Sequence, residues 1–193
     1  MAIGLLVCAH AILLGVVLPT ASNVQWFWMG LSGIVGLGIG DFGLFAAYVL
    51  IGPRRSVLMM ASSPIFASLG AYLLLGETFP LLSLLGITIT LTGIIVVLQE
   101  REKEPKENIS VGKQKTLGTS AAIIAAMGQG FGVVLSKKGM YAGVNVALNP
   151  LSAALIRMTI ATLFLWACAL FLGKLPELRK TAKDKEGMKY TAA

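Results

Sequence analysis

The chain has 193 residues, of which 56% are hydrophobic and 13% charged, with a formal net charge of +7 and a mean hydropathy of +0.81. A soluble domain carries roughly 25% charged residues, so this composition cannot supply a water-facing surface, and most side chains must meet lipid. That excludes a soluble globular class. Backbone groups in hydrocarbon must be bonded within their own segment, so the expected fold is all-α, a polytopic membrane helix bundle.

Spanning a bilayer takes about 20 mostly apolar residues, and six segments qualify. The first is Met1–Leu18. It lacks the basic start of a signal peptide and its apolar run is too long for one. Up to Pro53 the ionisable side chains are Cys8, His10, Asp41 and Tyr48, and no Lys or Arg precedes Arg54. His10 sits mid-segment, where a packed neutral imidazole and a proton relay are both open. The second segment, Trp26–Ile51, holds Asp41 near mid-membrane. A carboxylate there is costly unless paired, protonated or facing water. Helical spacing puts Gly38, Asp41, Phe45 and Tyr48 on one face, and Gly33, Gly36, Gly40 and Gly43 on another that suits close helix approach. Asp41 beside two rings would suit a cationic or amphipathic substrate through charge and cation–π attraction. It would equally suit a proton carrier, or a neutral, hydrogen-bonded structural group.

The third segment, Ser56–Leu75, carries Pro64 at its centre. Pro64 removes a hydrogen bond and crowds the Met60 carbonyl, which predicts a kink, with Ser62, Ser63 or a neighbouring helix as partner for the freed carbonyl. Interrupted helices surround substrate sites in carriers, and they also shape packing. Glu77 follows at the water interface, placed to cap the next helix. The fourth segment is Leu81–Leu98, and the polar stretch EREKEPKENISVGKQ after it reads as a solvated linker. The fifth, Thr119–Lys137, contains Gln129 in the run MGQGFG, which lines a cavity or a packed interface. Lys137 and Lys138 end it and are expected to snorkel. The sixth, Leu151–Leu172, carries Arg157 about 10 Å along its axis, to snorkel or pair, and a polar tail follows. The candidates for a substrate or proton pathway are Asp41, Tyr48, Phe45, His10, Gln129 and Ser63, with Pro64 as the kink.

Alternation puts the loop Gly52–Arg55, the linker Glu100–Lys115 and the tail from Lys174 on one membrane side. They hold two, five and six of the 16 Lys and Arg residues, against Lys137, Lys138 and Arg157 elsewhere. Positive-inside reasoning makes that side cytoplasmic. The net charge thereby describes orientation rather than nucleic-acid binding, and the expected partners are the lipid bilayer and a small-molecule substrate. The two cysteines lie in apolar runs, no metal-ligand cluster occurs, and no Gly-rich phosphate loop followed by Lys-Ser/Thr is present, so no cofactor is expected.

The ends of the chain resemble one another. Residues 1–19 laid on 158–176 match at six positions without a gap, a period of 157. The stretch SSPIFASLGAYLLLGETFPLLSLLGITITLTGIIVVLQ resembles the signature of the EamA-type drug/metabolite transporters: a helix with central Pro64 ending in Gly76-Glu77, a short turn, then a helix with Gly86 and Gly93. A second patch agrees, with Lys137 seven residues after Gly130 and Arg157 seven after Pro150. Gln129 stands where the family has Trp. The resemblance implies ten helices in two inverted five-helix repeats, of which this chain is similar to helices two to seven. Residues 1–99 would be four helices of the first repeat, 100–117 the linker, and 118–193 two helices of the second repeat with a tail. It also implies a multi-pass carrier in the cell membrane that moves small metabolites or drugs by alternating access, in the export direction, driven by protons or the substrate gradient. The family's usual topology places the linker outside; the charge count places it inside, and the charge count is preferred here.

Two other classes have sequence features to consider. Gly30–Gly33, GLSG, resembles the Gly-x-Ser-Gly of rhomboid-type intramembrane proteases, which need a His on a later helix. The single histidine, His10, lies on an earlier one, so the chain is read as no enzyme. A membrane subunit serving assembly without transport is the other alternative.

Overall fold

In a computed structural model, the structure describes residues 2–15, 19–101, 112–143 and 147–171. Among the described residues there is no strand, and the chain forms eight α-helices and one π-helical segment: α1 (Ala2–Leu14), α2 (Asn23–Ser32), the π segment (Gly33–Gly40), α3 (Asp41–Ile51), α4 (Pro53–Met60), α5 (Ser63–Leu75), α6 (Leu81–Arg101), α7 (Gly112–Tyr141) and α8 (Pro150–Phe171). The all-α membrane bundle read from composition is what is found. Four stretches are long and apolar enough to cross a bilayer: Asn23–Ile51, Pro53–Leu75, Gln114–Tyr141 and Pro150–Phe171. Leu81–Gly93 is a shorter apolar helix, and α1 is described over 13 residues.

The helix ends follow local chemistry. Ser22 opens α2 with a capping box: its hydroxyl accepts the Gln25 amide at 3.3 Å, and the Gln25 side chain accepts the Ser22 amide at 2.9 Å. The second span therefore starts at Asn23, three residues before the predicted Trp26. Gly52, at φ +83° and ψ 156°, turns the chain between α3 and α4, and Pro53 starts the new helix where its missing N–H costs nothing. Gly76, left-handed at φ +66°, closes α5. Asn149 accepts the Leu151 amide at 2.9 Å ahead of Pro150 in the first turn of α8.

Pro64 departs from the expected mid-helix kink. The helix stops at Met60, turns through Ala61 and Ser62, and restarts as α5 with Pro64 in its first turn, where proline is tolerated. The Ser62 hydroxyl bonds the Met59 carbonyl at 2.6 Å, one residue before the carbonyl named from sequence. At the edges of the predicted linker 100–117, α6 reaches Arg101 and α7 begins at Gly112; residues 102–111 lie outside the described residues.

The centre of the bundle is α7. It runs antiparallel to the second span: Gly139 meets Trp28 and Met29, Gly132 meets Gly36, Gly128 meets Gly40, and Gly118 meets Ile51. It runs parallel to α5, with Gly130 on Ser63 and Ala67, Val134 on Gly70 and Lys137 on Glu77. Two spans with the same direction need one return crossing between them, and α6 is the helix between. The interior is small-residue rather than bulky: Ala47, Ala122, Ala125, Ala126, Ala153 and Ala161 are buried beside Met29 and Ile156. The large apolar side chains point outward, with Phe171 93%, Val49 88% and Leu82 79% exposed. That inversion is expected where lipid is the solvent and helices gain by close backbone approach.

Candidate functional site

The glycine face predicted on the second span packs as expected. A Cβ added to Gly33 would lie 2.5 Å from the Arg157 carbonyl oxygen, and one added to Gly43 would lie 3.0 Å from the Ala121 carbonyl. The same stretch, Gly33–Gly40, widens into a π-helix, a rare geometry enriched at functional sites. Four glycines in eight residues leave the wider turn free of side chains on the faces that meet α7 and α8.

Asp41 follows directly. Its carboxylate accepts a hydrogen bond from the Gln129 side-chain amide on α7 at 2.6 Å. The two residues lie side by side because Gly40 leaves room: a Cβ there would stand 3.3 Å from the Gln129 amide nitrogen. Asp41 and Gln129, separate candidates in the sequence, are thus one pair in the interior of two spans. The rings do not close around it. Phe45 is 63% exposed on the outer face of the bundle, and Tyr48 meets it edge-on at 5.9 Å between centroids.

Nine residues nearer the α2 start, the Ser32 hydroxyl donates to the Gly132 carbonyl at 2.6 Å, with Ser32 fully buried. Ser32 was weighed only as a nucleophile from GLSG, and its hydroxyl is committed to helix pairing instead. The imidazole of His10 is elsewhere: it is buried, and its Nε2 lies 2.8 Å from Ser152 Oγ at the start of α8. His10 therefore ties α1 to α8. Ser63 places its carbonyl against Gly130, where a Cβ would come within 2.7 Å.

Glu77 and Lys137 lie at the end of the bundle where α5 and α7 finish. Lys137 Nζ donates to Glu77 Oε1 at 2.5 Å, so the carboxylate expected to cap α6 and the ammonium expected to snorkel are an ion pair. The next lysine, Lys138, lies 4.4 Å over the Trp28 ring. Arg157 reaches into the groove between the π segment and α7. Among the described residues no group of three or more metal-ligating side chains occurs.

Sequence reasoning missed Ser32 as a packing donor, Ser152 and the Trp28–Lys138 contact. Ser32 carried a signal, lying four residues before Gly36 on the stripe that contains it. Nothing in the sequence joins residue 10 to residue 152.

A model of the EamA-like transporter family matches residues 1–99. The chain belongs to the EamA-like transporter family. Searches of curated proteins and of solved structures returned no match. This EamA-like protein is accordingly a multi-pass membrane protein of the drug/metabolite transporter type. The matched residues contain Ser32, Asp41, Pro64 and Glu77, and the partners Gly132, Gln129 and Lys137 all lie on α7, beyond the match. These three contacts join the family-matched helices to α7, and His10–Ser152 joins them to α8.

Proposed function

We propose that this EamA-like protein exports small metabolites or drugs by alternating access, with the family-matched helices rocking against α7 and α8 and with Asp41 carrying the coupling proton. The linker and tail are assigned to the cytoplasm on the distribution of Lys and Arg, and the membrane is the cell membrane. The observation that carries the proposal is the Asp41–Gln129 pair: a carboxylate inside a spanning segment, bonded across a glycine-lined helix interface and adjoining a π-helical turn. Ionisable groups inside the bilayer are expensive and mark ion or substrate pathways. Broken or irregular helices beside them are where carriers change shape. An interface built from backbone on both sides can slide or tilt without unpacking large side chains.

The test compares the culture medium of cells expressing the chain with that of empty-vector cells by mass spectrometry, across small metabolites. Expression should raise at least one metabolite outside the cells. Asp41→Asn and Gln129→Leu should abolish that difference at unchanged abundance in the membrane. Export at the wild-type rate by Asp41→Asn refutes the assignment of the coupling site.

A further inference from the structure

Arg157 is seven residues past Pro150 on α8, about 10 Å into the span. Its backbone presses on the π segment at Gly33, and its guanidinium continues along the same groove. A Cβ on Gly36 would lie 3.4 Å from Arg157 Nη2 and 3.4 Å from Gly132 Cα. The guanidinium thus lies where the π segment, α7 and α8 converge, among walls made of backbone. Its Nε is buried and has no hydrogen-bond partner among the described residues. The carboxylates Asp41 and Glu77 are already engaged, Asp41 by Gln129 and Glu77 by Lys137. No carboxylate among the described residues forms an ion pair with Arg157.

A guanidinium inside a bilayer span without an acceptor is costly, and such groups pair or face a pathway. The missing acceptor has a definite chemistry. Guanidinium presents a planar fork of donors that matches a carboxylate or phosphate in a bidentate contact. The absence of a side chain at Gly36 leaves Nη2 of that fork beside main chain rather than a competing group. A lipid phosphate would approach from the outer surface, whereas the buried Nε lies in the groove between helices, which favours a solute from within the bundle.

We propose that Arg157 anchors the anionic group, a carboxylate or phosphate, of the solute this carrier moves, an inference that rests on the transport reading above. Asp41 would then handle the proton and Arg157 the substrate, two charges of opposite sign at separate heights on one groove.

The experiment measures thermal unfolding of the chain in phosphatidylcholine nanodiscs against benzoate, succinate and inorganic phosphate, with benzamide and benzylamine as neutral and cationic counterparts. At least one anion should raise the melting temperature in a saturable way, and the counterparts should not. Arg157→Gln should weaken that anion by at least about tenfold, the size of one lost charge-assisted contact. Should Arg157→Gln fail to fold, Arg157→Lys keeps the charge and loses the fork, and a severalfold weaker anion is expected. An anion shift of wild-type strength in either variant overturns the proposal, as does the absence of a shift with all three anions. Repeating the series in phosphatidylglycerol separates the sources. If the anionic lipid alone stabilises the wild type, fails to stabilise Arg157→Gln and displaces the anions, the site belongs to lipid and the solute assignment falls. Export that depends on Asp41 but persists in Arg157→Gln would sink this inference and leave the carrier reading standing; anion binding at Arg157 without any export would do the reverse.

Discussion

Replacing Gly132 by alanine should force α7 away from the π segment. The added Cβ would lie 2.6 Å from Gly36 Cα, 3.0 Å from the Gly36 nitrogen and 3.4 Å from the Ser32 carbonyl oxygen. All three are main-chain atoms that cannot rotate aside. Carbon pairs settle at about 3.5–4.0 Å, so the helices must part by about 1 Å or tilt. Overpacking of this kind costs about 1–3 kcal/mol. The shift also stretches the 2.6 Å bond from Ser32 to the Gly132 carbonyl, and an interhelical hydrogen bond in a bilayer adds about 0.6–1.7 kcal/mol. Together the loss is about 2–5 kcal/mol, which at about 2–4 °C per kcal/mol for a chain of this length lowers the melting temperature by about 4–20 °C. The matched control is Gly86→Ala on α6, where nothing among the described residues lies within 4 Å of the new Cβ. There alanine gains helix propensity of up to about 1 kcal/mol. Heating detergent-solubilised variants and following the monodisperse peak by gel filtration reads both. Melting temperatures within 2 °C of each other for Gly132→Ala and Gly86→Ala would refute the backbone-contact account of the core, on the scale set above.

Two further expectations use the same assay. Gly52 holds φ +83° with ψ 156°, a region open essentially to glycine, so Gly52→Ala should cost about 1–3 kcal/mol although nothing crowds it; an unchanged melting temperature would show that the turn relaxes freely. The Glu77–Lys137 pair has side chains 36% and 53% exposed, so Glu77→Gln and Lys137→Met should each cost under about 1 kcal/mol, with a coupling in the double-mutant cycle that fades in 1 M salt. A coupling above about 2 kcal/mol that resists salt would mean the pair is locked in a drier site than its exposure implies.

Much of this fold could be read along the chain. The four long spans, the turns at Gly52-Pro53 and Gly76, and the glycine face of the second span all lie close to where hydropathy and punctuation put them. The misses have local causes. Pro64 looked central because the apolar run around it is continuous; the actual break falls at Ala61-Ser62, upstream of the proline, because Pro64 has no N–H to give the Met60 carbonyl and its ring crowds that group. Glu77 looked like a cap because the next helix begins four residues on, and Lys137, sixty residues away, wins it through the parallel alignment of α5 and α7. Phe45 and Tyr48 share a helical face with Asp41 by count, but Asp41 turns to Gln129 on α7 while Phe45 stays on the outside.

The residues alone determined the solvent, the secondary structure and the approximate ends of each span, because transfer into hydrocarbon and backbone satisfaction are summed locally, residue by residue. Tertiary structure decided which polar groups meet: Asp41 with Gln129, Glu77 with Lys137, His10 with Ser152, and Arg157 with none among the described residues. Helices with similar apolar exteriors can pack in many rotations and registers. The docking of α7 along the glycines of its neighbours selects the one that joins Asp41 to Gln129 and Glu77 to Lys137.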